Sequence, residues 1–97
     1  MMERRKSELL DSVLMRFMRE NGLETPLNEY RLIQAWPAVV GSARSSASEA
    51  LYIRNQTLYV RVGSPALRAN LAMERHILVQ KLNQTIHTGV ITDIAFV

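Results

Sequence analysis

The chain contains no cysteine. That excludes disulfides and thiolate metal sites, and it fits a reducing compartment. Histidine is nearly as scarce: His76 and His87 are the only two, too far apart in sequence to form a metal-binding pair on one helix turn. There is no His-Glu-x-x-His, no Gly-rich phosphate loop and no acidic pair at useful spacing. Glu74 and His76 are two residues apart and do not share a helix face, so His76 is expected on a helix surface. The sequence therefore points away from an enzyme, and no cofactor or metal is expected. Long apolar runs are missing too. The longest, Ala35 to Gly41, contains Pro37 and is far too short to span a bilayer. The basic start, Met1 to Lys6, leads into no apolar stretch of signal-peptide length, so no signal peptide is expected.

What remains is ordinary globular material. At 97 residues with 47% hydrophobic content, the chain suffices for one domain with one contiguous core. We take residues 1–97 as that domain, with residues 1–6 as a disordered basic N-terminus. The net charge of +3 is unevenly spread. Residues 1–24 carry five bases and five acids, whereas residues 25–97 carry seven bases and four acids. A mildly basic body is compatible with nucleic-acid binding, and equally with simple solubility.

Proline is rare, and two of the three follow a capping residue. Thr25-Pro26 and Ser64-Pro65 each read as a helix start. Ahead of the first of these, Ser7 caps a helix running to about Glu20. Leu10, Leu14 and Phe17 form its apolar stripe, Leu9 and Val13 widen it, and Met15 and Met18 lie off it, as gap-fillers or a partner-facing edge. Asn21-Gly22 ends that helix. The second helix carries Leu32, Trp36, Val39 and Val40 on one face, with Trp36 as an interior anchor. Pro37 should kink it, or start a second short helix reaching about Ala43. The small-residue stretch Gly41 to Ala50 reads as helix end followed by loop.

Leu51 to Val62 alternates apolar and polar residues on both sides of Asn55-Gln56, the pattern of a β-hairpin. With a two-residue turn, Ile53 opposes Leu58 and Tyr52 opposes Tyr59. Leu51, Ile53, Leu58, Val60 and Val62 are then expected in the core with Trp36, Leu67, Leu71 and Phe96. Tyr52, Arg54, Tyr59 and Arg61 share the other face. From Ser64, Leu67, Leu71, Leu78 and Leu82 follow one helical face to about Gln84, and Ala66, Met73 and Ile77 lie beside it. Glu74 interrupts the stripe, which argues for a break near Met73 to Arg75 or for the stripe passing the sheet edge at that turn. Gly89 turns the chain into a third strand, Val90 to Val97, with Ile94 and Phe96 on one face and Asp93 and Ala95 on the other. The order is α-α-β-β-α-β. The fold class is α+β, a two-layer sandwich in which helices cover one face of a three-stranded sheet.

Two surfaces offer themselves for binding. Aromatics and arginines on an open sheet can stack bases and pair phosphates, although a Tyr pair flanked by Arg is also a common way to dress a solvated face. Arg68 and Arg75 share a helix face and could form a groove beside the sheet with Arg61 and Lys81. The competing class is protein binding, since an edge strand and an uncovered face suit a homodimer or a docked partner.

The succession Trp36-Pro37-Ala38-Val39-Val40-Gly41, Ala43, Leu51-Tyr52-Ile53, Leu58-Tyr59-Val60-Arg61-Val62 and Ser64-Pro65-Ala66-Leu67-Arg68 with Leu71 resembles the DciA family. So do Leu78, Leu82-Asn83, Val90 and Ile94-Ala95-Phe96. The likeness runs from about Leu23 to the end of the chain. It implies a KH-like fold and a bacterial, cytoplasmic accessory protein of DNA replication. It also implies work on the replicative helicase DnaB as loader or operator, and affinity for single-stranded DNA. A protein-interaction module without nucleic-acid affinity and an atypical RNA-binding KH-like domain are the alternatives. The sequence departs from the usual KH pattern in having no Gly-x-x-Gly, the segment with which KH domains clamp a nucleic-acid backbone. Any nucleic-acid contact is therefore expected to rest on arginines.

Overall fold

The computed structural model describes residues 12–97. The expected cap at Ser7, the Leu9 and Leu10 part of the first stripe and the basic residues 1–6 lie outside the described residues. The elements are a first helix, α1, of which 12–20 are described, then α2 (Glu24–Val40), α3 (Ser42–Ser45), β1 (Ser48–Arg54), β2 (Thr57–Val62), α4 (Pro65–Met73), α5 (Arg75–Ile86) and β3 (Asp93–Phe96). This is the α+β, KH-like two-layer order predicted from the sequence. β2 is the central strand, antiparallel to β1 and parallel to β3. The parallel pair requires a crossover, and α4 and α5 supply it.

The core lies between sheet and helices. Leu58, Val60, Val62 and Ile94 from the strands meet Leu32, Trp36, Val40, Leu71, Leu78 and Leu82 from the helices. Trp36 is buried, and its indole Nε1–H donates to Ser48 Oγ at 3.0 Å. This satisfies the one polar atom such an anchor brings inside. Ile53, Leu67 and Phe96 pack against the core partly buried, as expected.

The helical spacing and breaks follow local chemistry. Ser64 accepts a hydrogen bond from Leu67 N–H, and Pro65 opens α4 where no amide donor is needed. Glu74, with φ −99° and ψ 9°, ends α4 and starts α5 at the predicted break. His87 takes the left-handed conformation (φ 65°) and stops α5 just before Thr88-Gly89.

α2 starts at Glu24 after Leu23, so Thr25 does not cap it and Pro26 is not its first residue. Four further expectations need correction. Of the two outcomes expected at Pro37, a second short helix beginning there is excluded, because α2 does not break. It runs to Val40, and the interruption comes at Gly41, whose φ of 91° suits glycine. Pro37 is exposed, so its ring lies on the solvent side of the helix. Second, the stretch after Gly41 is not a loop: α3 occupies Ser42–Ser45 and β1 begins at Ser48. Third, Leu51 is not a core residue. The hairpin register shifts between Ala50 and Tyr52, leaving Leu51 unmatched, and Ala50 opposes Val60 in its place. A β-bulge of this kind shifts the side-chain alternation by one residue. Fourth, Leu14, Phe17 and Val13 of α1 are exposed, while Met15 and Met18 are half-buried. Unbranched, adaptable methionines fill the irregular seam better than the stripe does.

Candidate nucleic-acid and partner surface

The hairpin turn places the tyrosines. Asn55 and Gln56 both have positive φ (52° and 61°), the geometry that matches the twist of paired strands. The predicted register follows: Arg54 with Thr57, Ile53 with Leu58, Tyr52 with Tyr59. Tyr52 and Tyr59 stack with ring centroids 4.8 Å apart and planes 17° from parallel. Among the described residues no helix covers this layer, and Tyr52, Arg54, Arg61 and Asp93 are all exposed. Tyr52 is half exposed and Tyr59 partly buried, and the pair lies on the same strand face as Arg54 near the hairpin tip.

The bulge at Leu51 determines what else reaches that face. Beyond it, Glu49 opposes Arg61, and their side chains form an exposed ion pair at 3.5 Å. Arg61 therefore has an internal acid as partner, a contact the sequence reading missed because Glu49 fell in its loop. Exposed pairs of this kind are weak.

The helix set is placed differently. Arg68 reaches from α4 to the last residue of β2, donating through Nη2 to the Val62 carbonyl at 2.9 Å. Arg75, at the start of α5, sits 3.7 Å from Asp93 Oδ1 on β3. Lys81 is exposed on α5. Arg68 and Arg75 thus tie the crossover helices to the strands, while Tyr52, Arg54, Tyr59 and Arg61 share the open outer face.

A further cationic group was not foreseen. Arg16 and Arg19 of α1 and Arg31 of α2 line a cavity of ≈ 510 Å³ with Ser12 and Met15, and Arg19 also pairs with Glu24 at 3.4 Å. The spacing of Arg16 and Arg19 was visible in the sequence, but their approach to Arg31 depends on tertiary packing. The join between α4 and α5 is the single acidic residue Glu74, with no Gly-x-x-Gly in it.

Fold and surface together describe a KH-like domain whose exposed sheet face carries the Tyr52–Tyr59 stack, Arg54 and the Arg61–Glu49 ion pair. The chain belongs to the DciA family: the family model described as "Dna[CI] antecedent, DciA" matches residues 9–96. Membership supports a helicase-loader-type role in DNA replication and implies interaction with the replicative helicase. The family is not known for enzymatic activity. No curated protein matches the chain. No helix among the described residues is long and apolar enough to cross a membrane.

Proposed function

We propose that this chain is a non-enzymatic, cytoplasmic accessory protein of bacterial DNA replication that engages the helicase DnaB and holds single-stranded DNA on its outer sheet face. The observation that carries the DNA part is the stacked Tyr52–Tyr59 pair beside Arg54 on the outer sheet face, where Tyr52 and Arg54 are exposed. Bases stack on such rings whatever their sequence, and arginines neutralise the backbone between them. Tyr52, Arg54, Tyr59 and Arg61 make the direct contacts in this reading. Arg68, Arg75 and Lys81 add positive potential from the helical layer. The helicase part rests on family membership.

The test uses immobilised cognate helicase, this chain and labelled single-stranded DNA. The chain is retained by the helicase and recruits the DNA. A Tyr52→Ala, Arg54→Ala chain is still retained but recruits less DNA. Absence of retention removes the helicase contact, and unchanged DNA recruitment by the variant removes the outer face as the DNA site. A protein-interaction role without nucleic-acid affinity is the second reading. It is favoured by the Glu49–Arg61 pair, which lowers the positive charge of the outer face.

A further inference from the structure

Strand β1 lies at the edge of the sheet, and its free side has a definite chemical pattern. On β2, the Val60 carbonyl and the Val62 amide bond to Val97 on the β3 side. Backbone groups alternate along a strand, so those of Thr57, Tyr59 and Arg61 aim at β1. Their partners there are Arg54, Tyr52 and Glu49. The intervening residues Ala50 and Ile53 therefore aim their N–H and C=O groups outward, away from β2.

We propose that β1 pairs antiparallel with β1 of a second copy of this chain, about a two-fold axis between Leu51 and Tyr52. Three features match in that one register. Ala50 meets Ile53 of the partner copy, so outward-facing backbone meets outward-facing backbone at two symmetric points. Glu49 meets Arg54 of the partner copy, opposite charges on the same outer face, again twice. The third match is size. Beside Ala50 runs a groove of ≈ 200 Å³ between β1 and α2, lined by Ile33, Gln34, Pro37 and Ala50 among others. The small Ala50 leaves room there, and the Ile53 side chain of the partner copy, on the core-facing side, enters it.

The bulge is what makes the register self-consistent. Glu49 and Arg54 are an odd number of residues apart, and in a regular strand they would point to opposite faces. The extra residue Leu51 brings both to the outer face, and brings both Ala50 and Ile53 to the inner one. Bulges commonly protect an edge from pairing. Here the same irregularity is present on both strands of the pair and cancels. The result is an isologous dimer with one continuous six-stranded sheet. Its outer face carries two Tyr52–Tyr59 stacks side by side. About four main-chain hydrogen bonds and two ion pairs make a small interface, so the dimer is transient.

The experiment is sedimentation equilibrium without nucleic acid, from about 10 µM to about 1 mM protein, the range where a small interface dissociates. Wild type shifts from monomer towards dimer. Glu49→Arg alone and Arg54→Glu alone each weaken dimerisation about tenfold, because two attractive pairs become repulsive. The Glu49→Arg, Arg54→Glu double variant restores it. The register is checked separately by Glu49→Cys with Arg54→Cys in this cysteine-free chain. Within one chain those positions are about 16 Å apart, but across the dimer they form a close, non-hydrogen-bonded pair suited to a disulfide. Oxidation gives a covalent dimer. A monomer throughout the range, or a dimer indifferent to both reversals and not captured by the cysteines, overturns the proposal. Neither result depends on DNA binding, so this dimer and the function proposed above fail independently.

Discussion

Arg44 and Glu74 are joined across the molecule, from the short helix before the sheet to the break between the two crossover helices. Arg44 Nη1 bonds Glu74 Oε2 and also Asn70 Oδ1 at 3.2 Å, while Nε donates to the Val40 carbonyl at 2.9 Å. The last bond occupies a carbonyl at the end of α2 that has no amide partner within the helix. The Arg44 carbonyl accepts from Ser48 Oγ, which in turn receives the Trp36 indole. One guanidinium thus connects α2, α4 and the α4–α5 break, and its backbone ties in the start of β1.

Arg44→Ala is accordingly expected to destabilise the fold by about 1–2 kcal/mol, the worth of charge-assisted bonds discounted for partial exposure. Urea unfolding should show a lower midpoint with an unchanged slope. An unaltered midpoint would mean that the network adds nothing to stability.

Asn83 holds the approach to β3. Its Oδ1 accepts from the amides of Val90 and Ile91 at 3.0 and 3.1 Å, and its Nδ2 donates to the Ile91 carbonyl at 2.8 Å. Asn83→Asp keeps the two acceptances but sets a carboxylate oxygen against that carbonyl. The loss is expected to be about 2 kcal/mol. Amide hydrogen exchange at Val90 and Ile91 should quicken, with the hairpin amides much less affected.

The bulge gives a contrast between two leucines. Leu58 is fully buried, so Leu58→Ala should cost about 3 kcal/mol or more. Leu51 lies outside the core cluster, so Leu51→Ala should cost under about 1 kcal/mol. Thermal or urea unfolding of both variants checks this. Equal losses would place Leu51 in the core after all.

These residues also show what the sequence disclosed. Asn55-Gln56 between alternating runs was enough to predict the hairpin and the Tyr52–Tyr59 pairing, because a two-residue turn determines register near itself. Glu74 inside a leucine stripe pointed to the α4–α5 break as one of two readings, because a charge does not sit unpartnered in a core-facing row. The partner, Arg44, was not legible, since it lies thirty residues away in a segment of small side chains. The bulge was hidden for a different reason: Leu51 and Ile53 alternate correctly by themselves, and only tertiary pairing reveals that Ala50 takes the core place. The outer-face set Tyr52, Arg54, Tyr59 and Arg61 was visible as a pattern, whereas its neutralising Glu49 depended on that same bulge.

The central claim, that the outer sheet face binds single-stranded DNA, is tested most directly by fluorescence anisotropy of a labelled single strand across a salt series. Wild type should bind at low salt and weaken linearly in log–log form as salt rises. Arg54→Ala with Arg61→Ala should bind more weakly, with a slope shallower by about 1.4, roughly 0.7 for each lost phosphate contact. No binding at low salt, or an affinity and slope unchanged by the double variant, would contradict the account.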